Sequence, residues 1–153
     1  MGIYEKKLAE EGITLPDAPA PAANYVPYVL VGKVLYVSGQ ISQNSSGLIL
    51  GKLGDSLTTD QGAEAAKFCA LNLLAQVKSA CAGDLDKVVR VIKLTGFVNS
   101  TPEFTQQPLV VNGASDLMGN VLGEAGKHAR VAVSANSLPL GVAVEIDGIF
   151  QIA

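Results

Sequence analysis

Residues 130–152 read Arg-Val-Ala-Val-Ser-Ala, then Asn-Ser-Leu-Pro-Leu-Gly, then Val-Ala-Val-Glu-Ile-Asp-Gly-Ile-Phe-Gln-Ile. Two apolar, β-branched runs flank a turn marked by Leu138-Pro139-Leu140-Gly141, which is the pattern of two strands. Each strand carries a charge in apolar company: Arg130 opens the first and Glu145 sits inside the second. Such a side chain needs a partner or a ligand.

The grammar upstream alternates helix and strand. A glycine-rich turn, Gly123–Gly126, precedes the first strand. Before it, residues 106–122 place Leu109, Val110, Leu117 and Val121 in helical register, with Gly113 and Gly119 as interruptions. Val88–Val98 is a β-branched strand followed by a turn at Thr101–Phe104. A longer helix starts at Thr58, whose spacing to Gln61 is that of a capping box. Ala66, Ala70, Leu73 and Val77 give this helix its apolar face, and Gly83 ends it. Tyr28–Val31 and Val34–Ser38, split by Gly32-Lys33, form a hairpin. Residues 42–47 are a polar loop and Leu48–Leu50 a short third strand. Residues 3–11 suit a short amphipathic helix, and the Pro/Ala-rich stretch 16–23 an extended segment.

This order divides the chain into an N-terminal extension, 1–23, and one domain, 24–153. It predicts an α+β fold, a sheet with two helices on one face. The other sheet face is then apolar and open unless further subunits cover it. Composition agrees: 48% of the residues are hydrophobic, only 16% charged, and the mean hydropathy is +0.32. That is more apolar surface than one domain of this length hides by itself.

The net charge of −3 repels a phosphate backbone, and no Lys/Arg run offsets it, so nucleic acid is excluded as a partner. No run is long and apolar enough to span a bilayer, so no membrane partner is expected. The N-terminus, MGIYEKKLAEEG, is charged and does not read as a signal peptide. Cys69 and Cys81 fall twelve residues apart on one expected helix, too distant to bridge within it. Both read as buried thiols, which fits a reducing, cytoplasmic compartment. A single His makes a Cys/His zinc site untenable.

From the residues alone, Arg130 and Glu145 are either site residues or a salt bridge joining neighbouring strands. Ser38 closes a strand at Ser38-Gly39-Gln40. Asn112 lies in the second helix, and Tyr25 follows the Pro/Ala stretch. His128, in a glycine-rich turn, reads as a surface or backbone-bonded residue that could still move a proton. Gly51-Lys52-Leu53-Gly54 lacks the spacing and the terminal Lys-Ser/Thr of a phosphate loop.

Together these residues resemble the RidA (YjgF-type) family. Arg130-Val131-Ala132-Val133, Leu138-Pro139 and Val144-Glu145-Ile146 match its C-terminal signature in spacing. Ser38-Gly39-Gln40 resembles its N-terminal signature, Tyr25 stands at the matching distance before it, and Val111-Asn112 resembles a pair in its second helix. The resemblance covers about residues 24–152. His128-Ala129-Arg130 and the long turns at Gly51–Asp55 and Gly123–Gly126 resemble a branch with longer loops. Where many relatives carry Cys, Ala132 stands here.

The resemblance implies a chorismate-mutase-like mixed sheet and a homotrimer with active sites between subunits. It also implies hydrolysis of 2-imino or enamine acids to 2-keto acids and ammonia, without metal or organic cofactor. Arg130 would hold the substrate carboxylate, which a guanidinium fork matches at two points. Glu145 would activate water, and Tyr25, Ser38 and Asn112 would line the cleft. A second class, a trimeric small-carboxylate-binding protein without catalysis, needs Arg130 but not Glu145. The ribonuclease activity attached to the family by name conflicts with the acidic charge.

Overall fold

The computed structural model describes residues 1–153. Its hairpin joins β1 (Tyr28–Val31) to β2 (Val34–Ile41) through Gly32-Lys33, with Gly32 at φ +61°, the left-handed region that such a turn requires. The polar residues 42–47 do not lead into a third strand of the main sheet. They fold on themselves as a two-residue ribbon, β3 (Gln43–Asn44) against β4 (Gly47–Leu48). Asn44 Oδ1 accepts from Ser46 N at 2.9 Å and closes the turn.

The main sheet is completed by β5 (Val88–Asn99), β6 (Ala129–Ala135) and β7 (Val144–Ile152) in the order β1-β2-β7-β5-β6. All pairs are antiparallel except β5 with β6. A parallel pair needs a crossover, and α3 (Gln107–Leu122) supplies it. The sheet is therefore mixed. The longer helix, α2 (Thr59–Ala80), is capped by Thr58. Gln61 N donates to Thr58 Oγ1 at 3.2 Å and Thr58 N to Gln61 Oε1 at 2.9 Å. The helix ends one residue short of Cys81, which is its C-cap; Ala82 and Gly83 then turn left-handed. Cys69 and Cys81 are both buried and free.

Two helices, α2 and α3, cover one sheet face. Leu35, Leu94, Ile146 and Phe150 from the sheet and Leu73, Leu74, Val110 and Met118 from the helices are fully buried between them. The helices approach most closely at Gly113, where a Cβ would overlap the carbonyl oxygen of Ala63. On the other face, Val29, Val31, Tyr36, Val131 and Val133 are each 41–61% exposed. Register aligns them with half-buried Phe97 and Ile149 in one apolar sweep across the sheet.

The N-terminal segment is fastened along the domain. Its helix α1 (Ile3–Glu10) has no side-chain cap of its own; Asp86 supplies one, accepting from Ile3 N at 2.8 Å and Tyr4 N at 3.1 Å. These bonds hold the Asp86 carboxyl below its ordinary range. Glu5 pairs with Lys78 at 2.7 Å, Leu8 is buried in the common core, and buried Gln76 donates from Nε2 to Pro19 O at 2.6 Å.

The helix seam generates a paired test. Gly113→Ala forces a methyl group into the α2 backbone and should cost about 3 kcal/mol in urea denaturation. Gly119→Ala, on the same helix but facing open space, should stabilise by about 0.5–1 kcal/mol through helix propensity alone. Equal effects at the two positions would mean that the helices do not meet at Gly113.

Candidate active site

Arg130 sits on β6, the sheet edge that α3 overhangs. Its register partner is Leu94, a core residue, so its side chain leaves the sheet on the helix side. There the guanidinium meets one stripe of α3. Nη1 donates to Asn112 Oδ1 at 2.7 Å and to Ser115 Oγ at 3.2 Å, and Nη2 to Pro108 O at 3.4 Å. Positions 108, 112 and 115 are spaced four and three apart, which puts them on one helix face. The Nε–Nη2 edge, the geometry that grips a carboxylate, is left nearly unengaged. A recess of about 340 Å³ opens beside Arg130, lined by polar and glycine residues only, among them Asn112, Ser115, His128 and Lys127.

Glu145 occupies the other side of the sheet. Its register partner on β5 is Phe97, three residues beyond Leu94, and an odd step reverses the face. β5 also lies between β6 and β7, so the two strands are not neighbours. The salt bridge open at the level of sequence is therefore not made: the three ion pairs are Lys7–Glu10, Lys78–Glu5 and Lys127–Glu124. The Glu145 carboxyl is half-buried and lies against Gly39, where a Cβ would stand 3.0 Å from Glu145 Cδ. Burial, reinforced by the charge of Asp147, pushes its pKa above the ordinary value. Burial also raises Asp147, against the pull of a Thr95 hydrogen bond and Lys93.

Ser38 and Tyr25 gather at the same place. The β2–β7 register shifts between Val37 and Gln40, a bulge that carries Ser38-Gly39. Ser38 Oγ donates to Val26 O at 2.8 Å, which ties β2 to the segment holding Tyr25. Tyr25, Gly39 and Gln40 share one cleft with Pro19–Ala22 of the extension. Gln40 is in turn held by Gln76 at 3.5 Å.

The five expected residues thus fall into two groups: Arg130 bonded to Asn112, and Glu145 against Gly39, which adjoins Ser38 in the chain and shares a cleft with Tyr25. Sequence reasoning missed Ser115, although the polar step Asn112 to Ser115 on an apolar helix was a usable signal. His128 is bonded to the backbone, its Nδ1 lying 2.6 Å from Gly126 O, but it also reaches Ser115 Oγ from Nε2 at 2.9 Å. Lys52, from the stretch that mimics a phosphate loop, is a structural tie, donating to Asn99 Oδ1 at 2.8 Å. No three His, Cys, Asp or Glu side chains converge as a metal-binding set.

Comparison with known proteins places this geometry in context. Protein TCP17 of Trypanosoma cruzi is 52% identical over 153 residues, covering 99% of this chain and 95% of its own. The crystal structure of Atu1372 from Agrobacterium tumefaciens, a protein of unknown function, is 50% identical with a TM-score of 0.91, covering 99% of this chain and 94% of that one. A crystal structure from Shewanella oneidensis MR-1, given an endoribonuclease description, is 32% identical with a TM-score of 0.94, covering 99% and 100% of the two chains. The family model described as "YjgF/chorismate mutase-like, putative endoribonuclease" matches residues 5–147. Fold, strand order and sequence agree over nearly the whole chain, and the protein belongs to the YjgF/chorismate-mutase-like family.

Proposed function

We propose that this protein is a homotrimeric hydrolase that converts reactive 2-imino or enamine acids to 2-keto acids and ammonia at sites completed between copies of the chain. The supporting observation is the division of the candidate residues. Arg130, bonded to Asn112, and Glu145, which lies against Gly39 beside Ser38, stand on opposite sides of one sheet, beside an exposed apolar sweep. A neighbouring copy covering that sweep can bring its Glu145 half to this chain's Arg130 half.

In such a site the Nε–Nη2 edge of Arg130 grips the substrate carboxylate, while Asn112 keeps the guanidinium from turning. Tyr25 and Ser38 line the opposite wall. Glu145 takes a proton from water as its oxygen bonds to the imine carbon and the C=N π pair moves to nitrogen. Starting from the protonated imine this gives a neutral carbinolamine, whose nitrogen then takes the proton held by Glu145. The hydroxyl returns its own proton to Glu145 as C=O forms, C–N breaks, and ammonia leaves. No step calls on a metal or an organic cofactor. A trimer that only binds small carboxylates would use the same Arg130 and leave Glu145 idle. The endoribonuclease description of the Shewanella oneidensis protein is hard to carry over, since a net charge of −3 repels an RNA backbone.

Light scattering at micromolar concentration should give about three times the chain mass of 15.8 kDa; a monodisperse monomer would remove the shared site. Arg130→Lys should keep the assembly and lose most affinity for small carboxylates, because an ammonium lacks the planar fork. Full affinity in that variant ends the clamp role.

Glu145→Gln should fold, bind ligand and lose turnover by ~10²–10⁴-fold in an ammonia-release assay. Its melting temperature near pH 7 should hold or rise. A carboxyl whose folded pKa is raised contributes stability in acid and loses it as pH rises, so removing the charge relieves a cost. The wild-type rate should fall on the acid side at a pH above the ordinary glutamate value of about 4.3, where the base form is lost. Turnover unchanged in Glu145→Gln would remove Glu145 as the base; no ammonia release from the wild-type chain, with carboxylate affinity kept in Glu145→Gln, would support the binding protein instead.

A further inference from the structure

The Arg130 half-site contains a hydrogen-bond chain whose direction is fixed at both ends. A carbonyl only accepts, so at 2.6 Å from Gly126 O the Nδ1 of His128 carries the proton. In the neutral ring Nε2 is then an acceptor, and it takes the Ser115 hydroxyl proton at 2.9 Å. A guanidinium only donates, so Arg130 Nη1 gives a proton to Ser115 Oγ at 3.2 Å. The chain runs one way, from Arg130 through Ser115 and His128 to the backbone.

Two consequences follow. Both protons of Arg130 Nη1 are committed, one to Asn112 and one to Ser115, so the guanidinium plane is held with its Nε–Nη2 edge outward. The acceptors around the recess are also consumed internally. Asn112 Oδ1 serves Arg130, His128 Nε2 serves Ser115, and Gly126 O serves His128. What remains is donors: Asn112 Nδ2, the outer edge of Arg130, where Nη2 makes only a 3.4 Å bond to Pro108 O, and at the rim Lys127, paired with the exposed Glu124 at 2.8 Å. Gly119 adds no side chain to the lining.

We propose that Ser115 and His128 are positioning residues of the site, which together hold Arg130 in its carboxylate-gripping pose and make the recess a donor-only subsite selective for anions. This rests on the reading of Arg130 as a carboxylate clamp. Losing the Ser115 hydroxyl does two kinds of damage. It frees one Nη1 proton, and it leaves the His128 Nε2 lone pair facing the carboxylate oxygens.

The test uses the full chain, nitrogen-15 NMR of the single His, and pyruvate as the probe in titration calorimetry. The neutral His128 ring should be the Nδ1–H tautomer. Ser115→Ala should weaken pyruvate binding about tenfold, the scale of one hydrogen bond to a charged group, with an unchanged melting temperature. Ser115→Thr, which keeps the hydroxyl, should restore most of it. Because His128 acts through Ser115, His128→Gln should add little in the Ser115→Ala background, a non-additive cycle. An Nε2–H tautomer, wild-type affinity in Ser115→Ala, or fully additive losses would each overturn the inference. If Arg130→Lys abolished binding while Ser115→Ala did not, the clamp would stand and only this inference would fall. Wild-type protein that bound no pyruvate would bring down both.

Discussion

The parallel pairing of β5 with β6 is the constraint from which the chemistry of this fold follows. A parallel neighbour cannot be reached by a tight turn, so the chain must cross the sheet as α3 before it returns. That crossover lays a helix over the edge strand. Arg130, at the start of β6, emerges beneath it and is met by Asn112 and Ser115 from one stripe. An arginine on an open edge would sample many rotamers. Here Asn112 and Ser115 accept from its Nη1, so the cost of ordering the side chain is met during folding.

The close seam between α2 and α3 supports the same arrangement. Gly113 lets α3 sit against the α2 backbone at Ala63, and Gly126 lets the following turn press on α3 at Met118. A side chain at Gly113 would push α3 off α2, and one at Gly126 would push the turn leading into β6 off α3, so either would disturb the seat of the Asn112–Arg130 bond. Core packing and site geometry are thus coupled through two residues with no side chain of their own.

The far face of the sheet works by a different physics. Glu145 and Asp147 stand two apart on β7 among Phe97, Ile149 and Tyr36, and both carboxyls are raised by burial. Cys69, fully buried behind the same strand, is raised well above its usual value, first by burial and then by the charge of Glu145, so its thiol stays protonated. Apolar exposure on this face favours cover by another copy, whereas the half-buried carboxyls oppose it, since deeper burial penalises their charged form. Cover removes apolar surface from water and raises the basicity of Glu145.

Much of this was legible in the chain itself. Periodicity located both long helices, capping chemistry placed the start of α2 at Thr58, and β-branched runs marked β1, β2, β5, β6 and β7, because these signals depend on neighbours within a few residues. The motif residues Tyr25, Ser38, Asn112, Arg130 and Glu145 were likewise visible as polar groups in apolar or linker surroundings. By sequence, residues 42–47 read as a loop and Leu48–Leu50 as a short strand; the ribbon of 43–44 against 47–48 escapes that reading because its pairing is decided by a polar turn rather than by apolar alternation. What sequence left open was whether Arg130 and Glu145 meet. Their nearness in the chain and the turn between them suggest that they do. The tertiary structure puts β5 between their strands and an odd register step between their levels, and so parts them onto opposite faces. Side-chain identity and local pattern are written in the sequence; strand order and register are settled only when distant segments compete to bury their apolar faces, and here they decide which charges become partners.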